Sequence, residues 1–138
     1  MLKSTLLHPE ILQALAGAGH GSRILIGDGN YPFTTGANPA AARVYLNLAP
    51  GMVDAPTVLS ALLTAVPVEA AHGMGPDDGS EPPIFDEFRA LLPVGLSIER
   101  MERFAFYAAA KGPDVALVIA TGERQIYANI LLTIGVRV

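Results

Sequence analysis

Val115-Ala116-Leu117-Val118-Ile119-Ala120 is a continuous apolar run, bounded by Gly112-Pro113 before it and Thr121-Gly122 after it. A short, β-branched run without polar alternation reads as a strand covered on both faces, as in the sheet of an α/β domain. Arg23-Ile24-Leu25-Ile26, closed by Gly27, has the same character. Working outward, helical patterns separate further strand candidates. Pro9-Glu10 opens a helix whose stripe is Ile11, Leu12, Leu15 and Ala16, and Gly17-Ala18-Gly19 stops it. Asp54 is a natural N-cap for a helix through Val58, Leu59, Leu62, Leu63 and Val66. Ile84, Phe85, Phe88, Leu91 and Leu92 recur at helical spacing, and Glu102–Lys111 reads as a fourth helix. Val44–Leu48, Val68–His72, Ser97–Arg100 and Tyr127–Val136 are the remaining strand candidates, and residues 73–83 form a Gly/Pro loop. Strands alternating with helices imply βα units and a mainly parallel sheet.

Composition narrows the function. The 138 residues make one domain, 1–138, able to hide about two-thirds of the unfolded surface. Charged residues are only 16%, with mean hydropathy +0.39, so the surplus apolar surface is expected to be buried in a homo-oligomer. No apolar run reaches the roughly 18 residues of a membrane span, so no membrane partner is expected. The net charge is −4 and Lys/Arg clusters are absent, which argues against nucleic acid. The chain has no cysteine, excluding disulfides and thiolate zinc sites. Its N-terminal residues lack a signal-peptide pattern, and cytoplasmic residence is the default expectation.

Two titratable groups stand at opposite ends of the Arg23–Ile26 strand. His20 lies in Gly19-His20-Gly21, and Asp28 in Gly27-Asp28-Gly29-Asn30-Tyr31-Pro32. Glycine-rich turns at strand ends commonly carry sites, and imidazole suits proton transfer near neutrality. His8, His20 and His72 are too scattered for a metal cluster. No dinucleotide or phosphate-loop signature is present, and Ser22 lacks a nucleophile elbow. Glu123-Arg124 reads most simply as a solvated turn.

Further motifs follow: Arg103-Phe104-Ala105-Phe106-Tyr107, Thr121-Gly122-Glu123-Arg124, Tyr127-Ala128-Asn129-Ile130-Leu131-Leu132 and Gly135-Val136. Together with Gly19-His20-Gly21 and Asp28, in this order, they resemble the RbsD/FucU family across nearly the whole chain. Arg103 and the Gly-Glu-Arg turn resemble the L-fucose mutarotase branch, whereas Tyr-Ala-Asn is spelled as in the D-ribose pyranase branch. The resemblance implies a three-layer α/β/α domain assembled into a ring-like homo-oligomer, decameric in some members. It implies a cofactor-independent isomerase acting on a free monosaccharide, with neither cofactor nor metal. His20 would be the proton donor, with Asp28, Arg103, Tyr127, Ala128 and Asn129 as the sugar-binding residues. Tyr127 and Asn129, two apart on one expected strand, would share a face. A sugar-binding transport accessory without turnover and a ribose pyranase are the rival readings.

Overall fold

The computed structural model describes residues Met1–Val138. Its elements are α1 (Pro9–Gly17), β1 (Arg23–Gly27), β2 (Ala42–Tyr45), α2 (Ala55–Leu63), β3 (Val68–Gly75), α3 (Ile84–Leu91), β4 (Ile98–Glu102), α4 (Arg103–Ala110), β5 (Val115–Ala120) and β6 (Ile130–Ile134). The strands form one sheet in the order β2-β5-β1-β6-β3-β4. β1, β2 and β5 are mutually parallel, as are β3 and β4, and β6 runs antiparallel between β1 and β3.

Alternation along the central strands sends side chains into two cores. Ile24 and Ile26 of β1 join Leu117 and Ile119 of β5 on the face packed by α1, α2 and α3. Phe85 and Phe88 of α3 and Leu59 and Leu62 of α2 are fully buried there. Leu25 and Val118 point the other way, onto Phe106 and Ala110 of α4 and onto Tyr31 and Phe33 of the β1–β2 connection. The expected mostly parallel α/β/α architecture is therefore present, with one face covered by three helices and the other by one helix and a long loop.

Local capping explains the helix starts. Asp54 accepts the Thr57 N–H at 2.9 Å, and Glu102 accepts the Phe104 and Ala105 N–H groups at 2.9 and 3.0 Å. His8 Nδ1 takes the Ile11 N–H at 3.4 Å. No helix is long and apolar enough to cross a membrane.

Four boundaries differ from the sequence reading. β2 begins earlier and ends at Tyr45. β3 continues through Gly73-Met74-Gly75, so the loop starts only at Pro76. The glycines there serve packing rather than turning: a Cβ on Gly73 would enter the ring of the fully buried Phe85 and lie 3.0 Å from Ile98 Cγ2. β4 extends to Glu102. The final strand is shorter than Tyr127–Val136, because Tyr127 takes a left-handed backbone, φ 60, and lies outside the ladder.

Gly73→Ala tests this close approach. Phe85 has no room to move, so the variant is expected to lose about 1–3 kcal/mol of stability. Urea denaturation measures it, and a midpoint equal to or above wild type would contradict the packing argument.

Candidate functional site

The carboxyl ends of β1, β3 and β4 and the start of β6 meet at one edge of the sheet, where α/β proteins characteristically bind ligands. A cleft of about 400 Å³ opens there, near the lower end of the usual range for small-molecule sites. Asp28, Arg103, Tyr127 and Asn129 all line it, so four of the expected binding residues converge.

Asp28 is the centre of this arrangement. Its residue is only 2% exposed. Its Oδ1 accepts the Asn30 N–H at 2.9 Å, and its Oδ2 accepts the Ala128 N–H at 3.2 Å and the Asn129 amide at 3.3 Å. The Asp28 N–H donates in return to Asn129 Oδ1 at 2.7 Å. Burial, the dominant effect, pushes the carboxyl above its ordinary 3.8. The donors from Asn30, Ala128, Asn129 and Tyr31 oppose that rise without cancelling it. Burial, reinforced by Tyr107 and Asp28, also raises the Tyr31 hydroxyl above its ordinary 10.0, and that hydroxyl donates to the Gly36 carbonyl at 2.7 Å.

The segment before β6 reaches the cleft in a different way from the one its sequence suggests. Tyr127 and Asn129 do not share the face of a strand; they lie on the approach to β6. Tyr127 is the one non-glycine residue in the left-handed region, a strain that persists only where surrounding contacts enforce it. That conformation accompanies an Ala128 N–H directed at Asp28. Ala128 is fully buried and does not line the cleft, and its N–H is already engaged by the carboxylate. That N–H is one of the donors holding Asp28 in place.

Arg103 sits at the first position of α4, with its guanidinium 4.6 Å from the Phe104 ring centroid. The sequence reading missed Asn30, Tyr31, Met74, Tyr107 and Ile126, which complete the lining. Tyr107 follows Arg103 by one helical turn, a spacing that could have flagged it.

His20 is elsewhere. It precedes β1, at the edge of the sheet opposite Asp28. The five residues of β1 alone span about 16 Å at roughly 3.3 Å per residue. Its Nε2 lies 3.1 Å from both carboxylate oxygens of Glu69, and both side chains are exposed. Within one chain His20 and Asp28 therefore do not meet. His72, the third histidine, pairs with Glu99 at 3.0 Å. No three His, Asp or Glu side chains gather closely enough to hold a metal ion.

Glu123 also departs from expectation. It is 7% exposed, not solvated, and its carboxylate accepts the N–H groups of Ala55, Arg124 and Gln125.

The model of the RbsD / FucU transport protein family matches residues 1–137. A fucose mutarotase of Mus musculus is 33% identical over 142 residues, covering 94% of this chain and 89% of that protein. A D-ribose pyranase of Variovorax paradoxus (strain S110) is 35% identical over 141 residues, covering 99% and 98%. Among solved structures, the fucose mutarotase of Streptococcus pneumoniae in complex with L-fucose aligns with a TM-score of 0.84 at 27% identity, over 100% of both chains. Bacillus subtilis RbsD complexed with D-ribose aligns with a TM-score of 0.84 at 26% identity, again over 100% of both.

The raised pKa of Asp28 has a defined consequence for stability. A carboxyl whose folded value exceeds its unfolded one contributes fully below about 3.8, and that contribution is lost as pH rises through the folded value. The wild type is therefore expected to lose ground to Asp28→Asn in paired urea titrations as pH is raised above about 4. A gap that does not change with pH would refute the assignment.

Proposed function

Since this chain belongs to the RbsD/FucU family, we propose that it is a cofactor-independent mutarotase interconverting the anomers of L-fucose or a closely related free sugar. The observation that carries the proposal is the cleft itself. Asp28, Arg103, Tyr127 and Asn129 converge there at the carboxyl edge of the sheet, in a chain similar over most of its length to fucose mutarotases.

The chemistry required is modest. A base removes the proton of the anomeric hydroxyl while an acid protonates the ring oxygen, so that the C1–O5 bond breaks and the aldehyde forms. Rotation about C1–C2 and reclosure, with the protons returned, gives the other anomer. Positioned acid–base groups contribute about 10²–10⁴-fold to such a step. Ionised Asp28 accepts hydrogen bonds from sugar hydroxyls, since a carboxylate has no donor of its own. Arg103 donates from a fixed fork on another wall. Asn129 and Tyr127 present an amide and a phenol to the same volume.

His20 is assigned as the proton donor, and it must then come from a second copy of the chain. Several features support assembly. Ile126 at the cleft is 67% exposed, Phe104 against Arg103 63% and Leu48 84%, an unusual cost for a free monomer so poor in charge. A homo-oligomer in which one copy's His20 and Glu69 close the neighbour's cleft covers such surface and completes the acid–base set. Ring assembly and cytoplasmic residence belong to this proposal.

A second reading is supported by the similarity to D-ribose pyranases and by the Tyr-Ala-Asn spelling. It is the exchange of ribose between pyranose and furanose forms by the same ring opening.

Saturation-transfer NMR with L-fucose and D-ribose discriminates the readings. Anomer exchange of fucose is expected to be accelerated by the wild type and abolished in His20→Ala and in Asp28→Asn. Co-assembly of the two inactive variants is expected to restore part of the exchange, because some clefts then draw His20 from one copy and Asp28 from another. Absence of restoration in confirmed mixed oligomers would sink the two-copy site. Sugar binding without exchange by the wild type would sink the mutarotase reading.

A further inference from the structure

Apart from Asp28, Glu123 is the one charged residue buried in this chain, and it does not line the sugar cleft. Its hydrogen bonds are unusually distributed. Oε1 accepts the N–H groups of Arg124 at 2.9 Å and Gln125 at 3.0 Å. Oε2 accepts the N–H of Ala55, the first residue of α2, at 3.2 Å. Its main chain is tied as well: the Glu123 N–H donates to Thr121 Oγ1 at 3.1 Å, and its carbonyl accepts the Gly29 N–H at 3.0 Å. One residue thus connects the start of α2, the turn after Asp28 and the first residues of the segment carrying Ile126, Tyr127 and Asn129.

These connections bear on the cleft. Segment 124–129 contains the strained Tyr127 and ends on the Ala128 N–H and Asn129 amide that grip Asp28. Strain of that kind needs anchors on both sides. On the β6 side the anchor is Asp28. On the other side it is Glu123, whose Oε1 receives two successive backbone N–H groups.

We propose that Glu123 is a positioning residue of the sugar cleft: its carboxylate fixes the entry to segment 124–129, so that Tyr127 stays left-handed and Asp28 stays gripped. This rests on the mutarotase reading for its activity readout, but its structural content stands apart from it.

The test compares full-length Glu123→Ala and Glu123→Gln with Asp54→Ala. Asp54 caps the same helix through Thr57 but has no link to segment 124–129, so its loss reports destabilisation of α2 alone. Truncating a carboxylate that serves three backbone donors is expected to weaken a dependent site on the order of tenfold. Glu123→Ala should therefore raise the KM for L-fucose by about tenfold in the NMR exchange assay, and amides 124–129 should exchange faster with deuterium. Glu123→Gln, which keeps one acceptor oxygen, should fall between Glu123→Ala and wild type. Asp54→Ala should lower the melting temperature while leaving the KM and the protection of 124–129 at wild-type values.

The proposal is overturned if a folded Glu123 variant keeps both wild-type KM and wild-type protection, or if Asp54→Ala changes both equally. If Glu123→Ala does not fold, Glu123→Gln is read against the same criteria. If the wild type shows no sugar exchange, the mutarotase reading fails, and deuterium exchange alone decides the role of Glu123.

Discussion

At the meeting of β1 and β6, Asp28 and Asn129 exchange hydrogen bonds in both directions. The backbone of one reaches the side chain of the other at 2.7 Å, and the two side chains meet at 3.3 Å. This contact joins residues a hundred positions apart and closes the cleft on its buried side. A carboxylate so deeply buried is tolerated only because several donors surround it. Hydrogen bonds to a charged group contribute about 1.5–3 kcal/mol each, whereas an unpaired charge in that position would be far more costly. The donors come from two loops, so satisfying this buried carboxyl requires those loops to come together.

That arrangement depends on β6 running against its neighbours. A chain leaving β5 at the carboxyl edge enters an antiparallel β6 from that same edge, without a crossover. Residues 121–129 therefore remain beside Asp28 rather than travelling across a face of the sheet. The same topology carries the end of β6 to the opposite edge, where Gly21 donates to the Ile134 carbonyl at 2.9 Å. His20 is held there, paired with Glu69. The fold thus separates the imidazole from the cleft within one copy, and assembly becomes part of the proposed chemistry. The exposed apolar side chains beside the cleft are consistent with that use.

Much of the framework was legible from local pattern. The continuous apolar character of β5 and the caps at Asp54 and Glu102 act within a few residues, so periodicity and capping rules reach them. Asp28, Arg103, Tyr127 and Asn129 were found through motif resemblance, and the cleft brings all four together. Glu123 was misread because a charged residue in a Gly-containing turn is ordinarily solvated. Only contacts with Ala55, sixty-eight positions earlier in the chain, make it a buried anchor. Tyr127 was misread as a strand residue for a related reason: its left-handed backbone is imposed by hydrogen bonds at both ends of its segment, not by its own preference.

By itself the sequence determined the alternation of strands and helices, the two-sided burial of the central strands and the chemical types available for a site. These follow from hydrophobic spacing and backbone preference, which act over short stretches. Tertiary structure alone decided the antiparallel course of β6, the shared gripping of Asp28, the burial of Glu123 and the distance of His20 from the cleft. Each depends on which distant segments come into contact. Local spacing carries no record of that choice, because it is made by packing and hydrogen-bond satisfaction across the whole domain.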